Sequence, residues 1–234
     1  NDHEAARWFD GFFNRWFHEA VFKGSYPDDA VADRVIRGHL PGPDLPFVKA
    51  GDMETISTPL DFLGLNYYSR NVMGMDKNGQ PEAITVVPKE ELTDMGWEVY
   101  PEGLLEGLLH IHKTYSPKKI LITENGAAYD VPADADGRIR DEKRIHYLRE
   151  HLSMCSRAIA EGVPLAGYFA WSLLDNFEWA FGYEKKFGLI SVDYKTLART
   201  PKDSAYWYRD TIAKNAAGAA DMPPTQGDSR ARED

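Results

Sequence analysis

The chain has 234 residues, with 27 Lys and Arg against 37 Asp and Glu and a formal net charge of −10 with histidine neutral. That length suits one domain with a sizeable core, and an acidic surface without a basic run argues against nucleic acid or anionic membrane as partner. Hydrophobic residues at 43% and aromatics at 12% exclude a chain disordered as a whole, so a folded protein that meets a neutral small molecule is expected.

Cys155 is the single cysteine, which excludes an internal disulfide and any multi-cysteine metal site. No stretch reaches the roughly 18 apolar residues of a membrane span, and no basic-then-apolar signal segment opens the chain. A cytoplasmic location and no cofactor are the resulting expectations. His110 and His112 fall in an expected helix, where that spacing points them to different faces. Asp134-Ala-Asp136-Gly137 has part of a calcium loop but neither the preceding acidic ligand nor the closing glutamate, so no metal site is expected.

Trp8, Phe9, Phe12, Phe13, Trp16, Phe17, Ala20 and Val21 recur at helical spacing and predict one helix with an aromatic face, ended by Gly24. Five prolines between Ser25 and Leu60 predict loop, with short helical turns near Val31 to Arg37 and Met53 to Ile56. Asp61 to Asn66 reads as a buried strand, and Lys77-Asn78-Gly79 as the turn of an excursion whose returning strand is Ala83 to Val87. Pro101 starts a helix through Leu104, Leu105, Leu108, Leu109 and His112. A second strand follows at Lys119 to Thr123. Asp141 opens a long helix through Ile145, Leu148, Leu152, Cys155 and Ile159, closed by Gly162 and Pro164. Leu165 to Ser172 is a third strand, Phe187 to Thr200 a second hairpin-like excursion, and Lys202 to Asn215 the last helix. Residues 1–215 form the folded portion; 216–234, with Pro223, Pro224 and Gly227, read as a disordered tail.

Strands alternating with helices predict an α/β fold with a parallel sheet, either doubly wound or an eight-stranded barrel. In both, reactive groups gather where strands end. The three strand ends deliver Asn66-Tyr67-Tyr68-Ser69, Glu124-Asn125-Gly126, and Trp171 through Trp179 with Asp175 and Glu178. Carboxylates, an amide and broad aromatic faces suit a sugar, since rings stack on a pyranose and carboxylates accept from its hydroxyls. Glu124 beside a tyrosine hydroxyl suits a nucleophile. It equally suits a structural carboxylate taking backbone N–H bonds in the turn at Asn125-Gly126.

Phe62-Leu-Gly-Leu-Asn-Tyr-Tyr68, Ile122-Thr-Glu-Asn-Gly126, Trp171-Ser-Leu-Leu-Asp-Asn-Phe-Glu-Trp179 and Phe187-Gly-Leu-Ile-Ser-Val-Asp-Tyr194, in this order, resemble glycoside hydrolase family 1. These are retaining β-glucosidases on a (β/α)8 TIM barrel. The resemblance implies that Glu124 is the nucleophile and that Tyr68 bonds to it. It places Asn66 near the sugar's 2-hydroxyl, Glu178 on two hydroxyls, Trp179 on another through its indole N–H, and Trp171 as the stacking floor. Trp97 matches the family's aromatic wall for the leaving group. Relatives that act on 6-phosphorylated sugars resemble this chain but have serine at the position of Glu178 and tyrosine at that of Phe187. A carboxylate there repels phosphate, so an unphosphorylated β-glucoside or cellobiose-like sugar is expected.

The family's acid/base glutamate stands in an Asn-Glu-Pro motif on an earlier strand, and that triplet is absent from these 234 residues. The resemblance thus covers the carboxyl half, about three strands and four helices of the barrel plus excursion hairpins. The expected partner is the amino-terminal half. Alone, the piece is expected to be sticky and to turn over natural substrates negligibly, and the alternative readings are a non-catalytic sugar-binding fragment or half of a split enzyme active only after complementation.

Overall fold

The computed structural model describes residues 2–215, so the tail expected over 216–234 lies outside the described residues. The N-terminal aromatic run is helical, but as α1 (Asp2–Asp10) and α2 (Trp16–Lys23) joined by a π-helical turn at Gly11–Arg15. The wider turn rotates the stripe part-way along. The aromatic face expected of one continuous helix is thus interrupted, and the residues buried are small ones: Ala5, Gly11 and Ala20 are buried, whereas Phe13 and Phe17 are exposed. Gly24 closes α2 at φ 66°, its N–H donating to Ala20 O. Arg15 reaches Asp10 and Asp29 at 2.7 Å each, tying this helix to α3 (Asp28–Ile36). A single turn, α4 (Asp52–Ile56), ends the proline-rich stretch.

The core is a parallel sheet of β1 (Leu63–Asn66), β4 (Ile120–Asn125) and β5 (Leu165–Ala170), with β4 in the middle. Between the first two lies an antiparallel hairpin, β2 (Met73–Met75) and β3 (Pro81–Ala83), closed by Asp76 to Gln80. The returning strand thus precedes the Ala83–Val87 expected from its β-branched residues. Asp76 explains why: its carboxylate accepts from the N–H groups of Asn78 and Gln80, so the chain re-enters at Pro81. Helix α5 (Pro101–Tyr115) crosses from β1 to β4, and α6 (Glu142–Ala160) from β4 to β5. A further hairpin, β6 (Ile190–Val192) and β7 (Arg199–Pro201), leads into α7 (Asp203–Lys214).

One face of the sheet is dry. Ile120 and Ile122, both 0% exposed, pack with Leu104 and Leu108 of α5 and Met154, Cys155 and Ala158 of α6. Burying such aliphatic side chains contributes about 1.5–3 kcal/mol each. The opposite face presents Gly64, Asn66 and Phe169 to solvent, and the outer edges of β1 and β5 have no strand beside them among the described residues.

Helix α6 differs from its sequence reading in which face turns inward. The expected stripe included Ile159, which is 54% exposed; the buried line runs Arg144, Tyr147, Leu148, His151, Met154, Cys155 and Ala158. Two strongly polar side chains sit in that line. An apolar count passes over them: Arg144 is kept inside by carbonyls from distant parts of the chain, and His151 by Tyr147 one turn earlier on the same helix.

Candidate active site

Strict alternation along β4 would place Glu124 on the dry face with Ile120 and Ile122. The register of β4 against β5 shifts between Ile122 and Asn125, and against β1 between Leu65 and Asn66. This irregularity exchanges the faces at the strand tip, the usual effect of a bulge beside a site. Asn125, at 0% exposure, now takes the inner position. Glu124 is left half-buried next to Tyr68, whose hydroxyl donates to its Oε2 at 2.7 Å.

Asn125 is the framework of this tip. Its Nδ2 donates to Tyr67 O at 2.7 Å and to the Tyr147 hydroxyl at 3.0 Å, and its Oδ1 accepts from the Tyr168 hydroxyl at 2.5 Å. The Tyr147 hydroxyl in turn donates to Tyr68 O at 3.0 Å. One amide thereby fixes the backbone on either side of the Tyr68–Glu124 pair from α6, β1 and β5 at once. These buried polar groups are satisfied mutually, which is what makes such a network rigid.

The tips of β4 and β5 also touch directly. Trp171 N–H donates to Asn125 O at 2.8 Å, the Trp171–Ser172 peptide is cis, and a Cβ on Gly126 would lie 1.8 Å from Trp171 O. Only glycine fits there. The Trp171 side chain lies close to the Glu178 carboxyl. Burial pushes that carboxyl above its ordinary range, the neighbouring Trp171 side chain pulls it back, and the nearby Glu124 charge pushes it up again. Burial also pushes the Tyr68 hydroxyl up, followed by its bond to Glu124 and the charges of Glu124 and Glu178. Tyr68 therefore stays a proton donor to Glu124 throughout the neutral range.

Trp97 closes one side, with its ring centroid 5.4 Å from that of Tyr68 and 6.2 Å from that of Phe187. Its segment is held by Arg70, whose guanidinium makes two bonds to Glu98 at 2.8 and 2.9 Å and lies 3.6 Å from the Tyr100 ring centroid. Phe187, 2% exposed, packs edge-on against Tyr68 and backs the wall instead of offering open surface. Asn66 is exposed beside this group, its Oδ1 accepting from the Thr123 hydroxyl at 2.6 Å. Trp179 stands 82% exposed at φ 43°, with its ring free for a ligand to cover.

The structure therefore gathers Tyr68, Glu124, Glu178, Trp171, Trp97 and Phe187, with Asn66 and Trp179 at the margins. The turn-amide alternative for Glu124 is not what is seen among the described residues, where its bond comes from Tyr68. Asn125, Tyr147 and Tyr168 escaped the sequence reading, although the tight Asn125-Gly126 pair marked the place. His110 and His112 both lie on α5, and no group of three or more metal-ligating side chains occurs among the described residues. No helix among them is long and apolar enough to cross a membrane.

The sequence profile of glycosyl hydrolase family 1 matches residues 1–217. Beta-glucosidase A of Acetivibrio thermocellus is 42% identical over 92% of this chain and 47% of its own length. A bifunctional beta-D-glucosidase/beta-D-fucosidase of Bifidobacterium breve is 40% identical over 92% of this chain and 50% of its own. Among solved structures, a beta-glucosidase from Thermotoga maritima in complex with castanospermine superposes with a TM-score of 0.82 at 41% identity, over 92% of this chain and 47% of that one. The same family 1 enzyme in complex with isofagomine lactam gives 0.81 at 42% identity, with the same coverage. The chain spans about half the length of the curated relatives it matches. With three parallel strands and their crossover helices superposing on these barrels, the protein belongs to glycosyl hydrolase family 1 and folds as part of a (β/α)8 TIM barrel.

Proposed function

We propose that this chain carries the nucleophile of a retaining β-glucosidase acting on unphosphorylated, cellobiose-like sugars. The observation that supports it best is the 2.7 Å bond from Tyr68 to Glu124 at a strand tip, beside the Trp171–Glu178 pair. In this reading a Glu124 oxygen attacks the anomeric carbon while the bond to the leaving oxygen breaks, its electron pair departing with that oxygen. Tyr68 orients the attacking carboxylate. Glu178 and Trp179 take hydroxyls, Trp171 forms the floor, Asn66 lies by the 2-hydroxyl and Trp97 faces the leaving group.

The second carboxyl group of such a reaction stands about 5 Å from the first, protonates the leaving oxygen and later activates water. The family's Asn-Glu-Pro motif is absent from these residues. We assign that role to an amino-terminal half that completes the barrel along the open edges of β1 and β5. On its own the chain is then limited to forming the ester with leaving groups that depart without a proton.

Incubation with a 2,4-dinitrophenyl 2-deoxy-2-fluoroglucoside followed by mass spectrometry of the peptides tests this. The expected product is one fluoroglucosyl group on Glu124, absent in Glu124→Gln. Reversible sugar binding without the adduct favours the second reading, a non-catalytic sugar-binding fragment, which the missing motif supports. Mixing with an amino-terminal half should restore aryl glucoside hydrolysis that Glu124→Gln abolishes.

A further inference from the structure

The segment that carries Glu178 and Trp179 leaves the sheet after Ser172 and returns at Phe187. Its two limbs run together: Leu189 N–H donates to Ser172 O at 2.9 Å, Ile190 N–H to Leu173 O at 2.9 Å, and Asp175 N–H to Ile190 O at 3.0 Å. A Cβ on Gly188 would lie 2.1 Å from Asp175 N, so the limbs are as close as backbone allows. At the point of closure Asp175 Oδ1 accepts from Gly188 N–H at 2.8 Å and from Lys202 Nζ at 3.0 Å. Asp175 and Lys202 are 3% and 2% exposed.

Lys202 is the residue before α7, and its own N–H donates to Leu189 O at 2.9 Å. A second buried cation holds the same limb one step earlier, since Arg144 of α6 donates to Lys186 O at 2.5 Å and to Tyr129 O at 3.1 Å. Asp141 completes the group, accepting from Arg144 and from both the N–H and the hydroxyl of Ser204 on α7. Two acids and two bases thus form a neutral buried quartet beneath the loop. Replacing such a buried set by hydrophobic residues of equal volume is often neutral or stabilising, so the quartet is weak evidence of a purely stabilising role.

We propose that Lys202, through Asp175, is a positioning residue that sets how far Glu178 and Trp179 reach toward the sugar. This rests on the assignment of Glu178 to substrate hydroxyls. Lys202 touches neither sugar nor Glu124. It fixes the closure from which the eleven-residue arc 176–186 springs, and Phe187, directly beside that closure, backs Tyr68 and Trp97. Loss of the ammonium leaves Asp175 buried with a single N–H, and the two limbs part.

The test measures fluoroglucosyl labelling of Glu124 as a function of probe concentration in the full chain, giving a half-saturating concentration and a limiting rate. Lys202→Met should raise the former about tenfold and leave the latter within about twofold, and Lys202→Arg should recover most of the loss. In a Glu178→Gln background the same change should add less than about twofold, because the group being positioned is gone. An unchanged half-saturation in Lys202→Met, a loss confined to the limiting rate, or a full loss persisting in Glu178→Gln overturns the proposal. Should Lys202→Met not fold, Asp175→Asn, which keeps an acceptor for Gly188 N–H, is expected to give the same pattern and is judged by the same criteria. If the unmutated chain does not label at all, the nucleophile assignment fails. Amide exchange then decides the clasp: faster exchange at 176–188 in Lys202→Met with α5 unchanged supports it, and unaltered protection refutes it.

Discussion

Acid should destabilise this fold well above the pH at which its carboxylates titrate, and His151 is the reason. The imidazole is 0% exposed on the inner line of α6, stacked on Tyr147 with centroids 3.9 Å apart. Its Nδ1 lies 2.7 Å from Tyr147 O, a geometry in which the ring donates, and its Nε2 has no hydrogen-bond partner among the described residues. Burial pulls its pKa from the ordinary 6.5 down to about 4. The unfolded chain therefore binds a proton as pH falls through 6.5, while the folded chain resists until about 4. Stability is complete above 6.5 and is lost across that window. The gap corresponds to ~3 kcal/mol, of which roughly 2.5 kcal/mol is lost by pH 4.5. In urea, with a slope of about 2 kcal/mol per molar, the midpoint should drop by about 1 M between pH 8 and 4.5. His151→Phe keeps the stacking, removes the unpartnered nitrogen, and forfeits a bond to a carbonyl already serving the helix. It should equal or exceed the parent at pH 8 and show a much flatter acid slope. His18, whose pKa burial also lowers, leaves a smaller residual dependence of the same sign. Parallel pH profiles for the two proteins would refute the argument.

Tyr68→Phe should leave folding intact and slow the labelling of Glu124 by about tenfold, since one hydrogen bond to a charged acceptor is lost; a change below twofold by mass spectrometry speaks against that bond as the orienting contact. Gly126→Ala should abolish both labelling and cooperative unfolding monitored by tryptophan emission, because the added Cβ collides with the Trp171 carbonyl; near-parental behaviour would mean that the two strand tips separate freely. The open edges of β1 and β5, with Phe169 57% exposed on the uncovered face, predict concentration-dependent association in sedimentation experiments. Phe169→Lys should weaken it, and a strictly monomeric parent would contradict the expectation.

The strands, the α5 and α7 helices and the identities at the strand tips were legible because each follows from local grammar: aliphatic runs, Pro101 at a helix start, carboxylates where strands end. What escaped depends on particular partners, some distant and some one turn away, that no apolar period reports. Arg144 and His151 look like surface residues in an apolar count, yet one is held by carbonyls at Tyr129 and Lys186 and the other by its stacking on Tyr147. The early return of the first hairpin follows from the Asp76 carboxylate capturing two amides, a choice between turns that β-propensity does not contain. The π-helical turn at Gly11–Arg15 likewise follows no apolar period, and it turns Phe13 and Phe17 outward.

The register shift near the end of β4 lets one strand serve two masters, a dry lower half that answers to α5 and α6 and a wet tip that answers to chemistry. Substitutions among Ile120 to Ile122 can then vary with the packing of the helices while the tip stays unaltered. Losing that irregularity without losing a residue would be far more consequential than exchanging several side chains, because simple alternation returns: the asparagine would turn to the open face and the glutamate to the dry one. For this protein, the path of the backbone at one strand end decides more than the identity of the side chains beneath it.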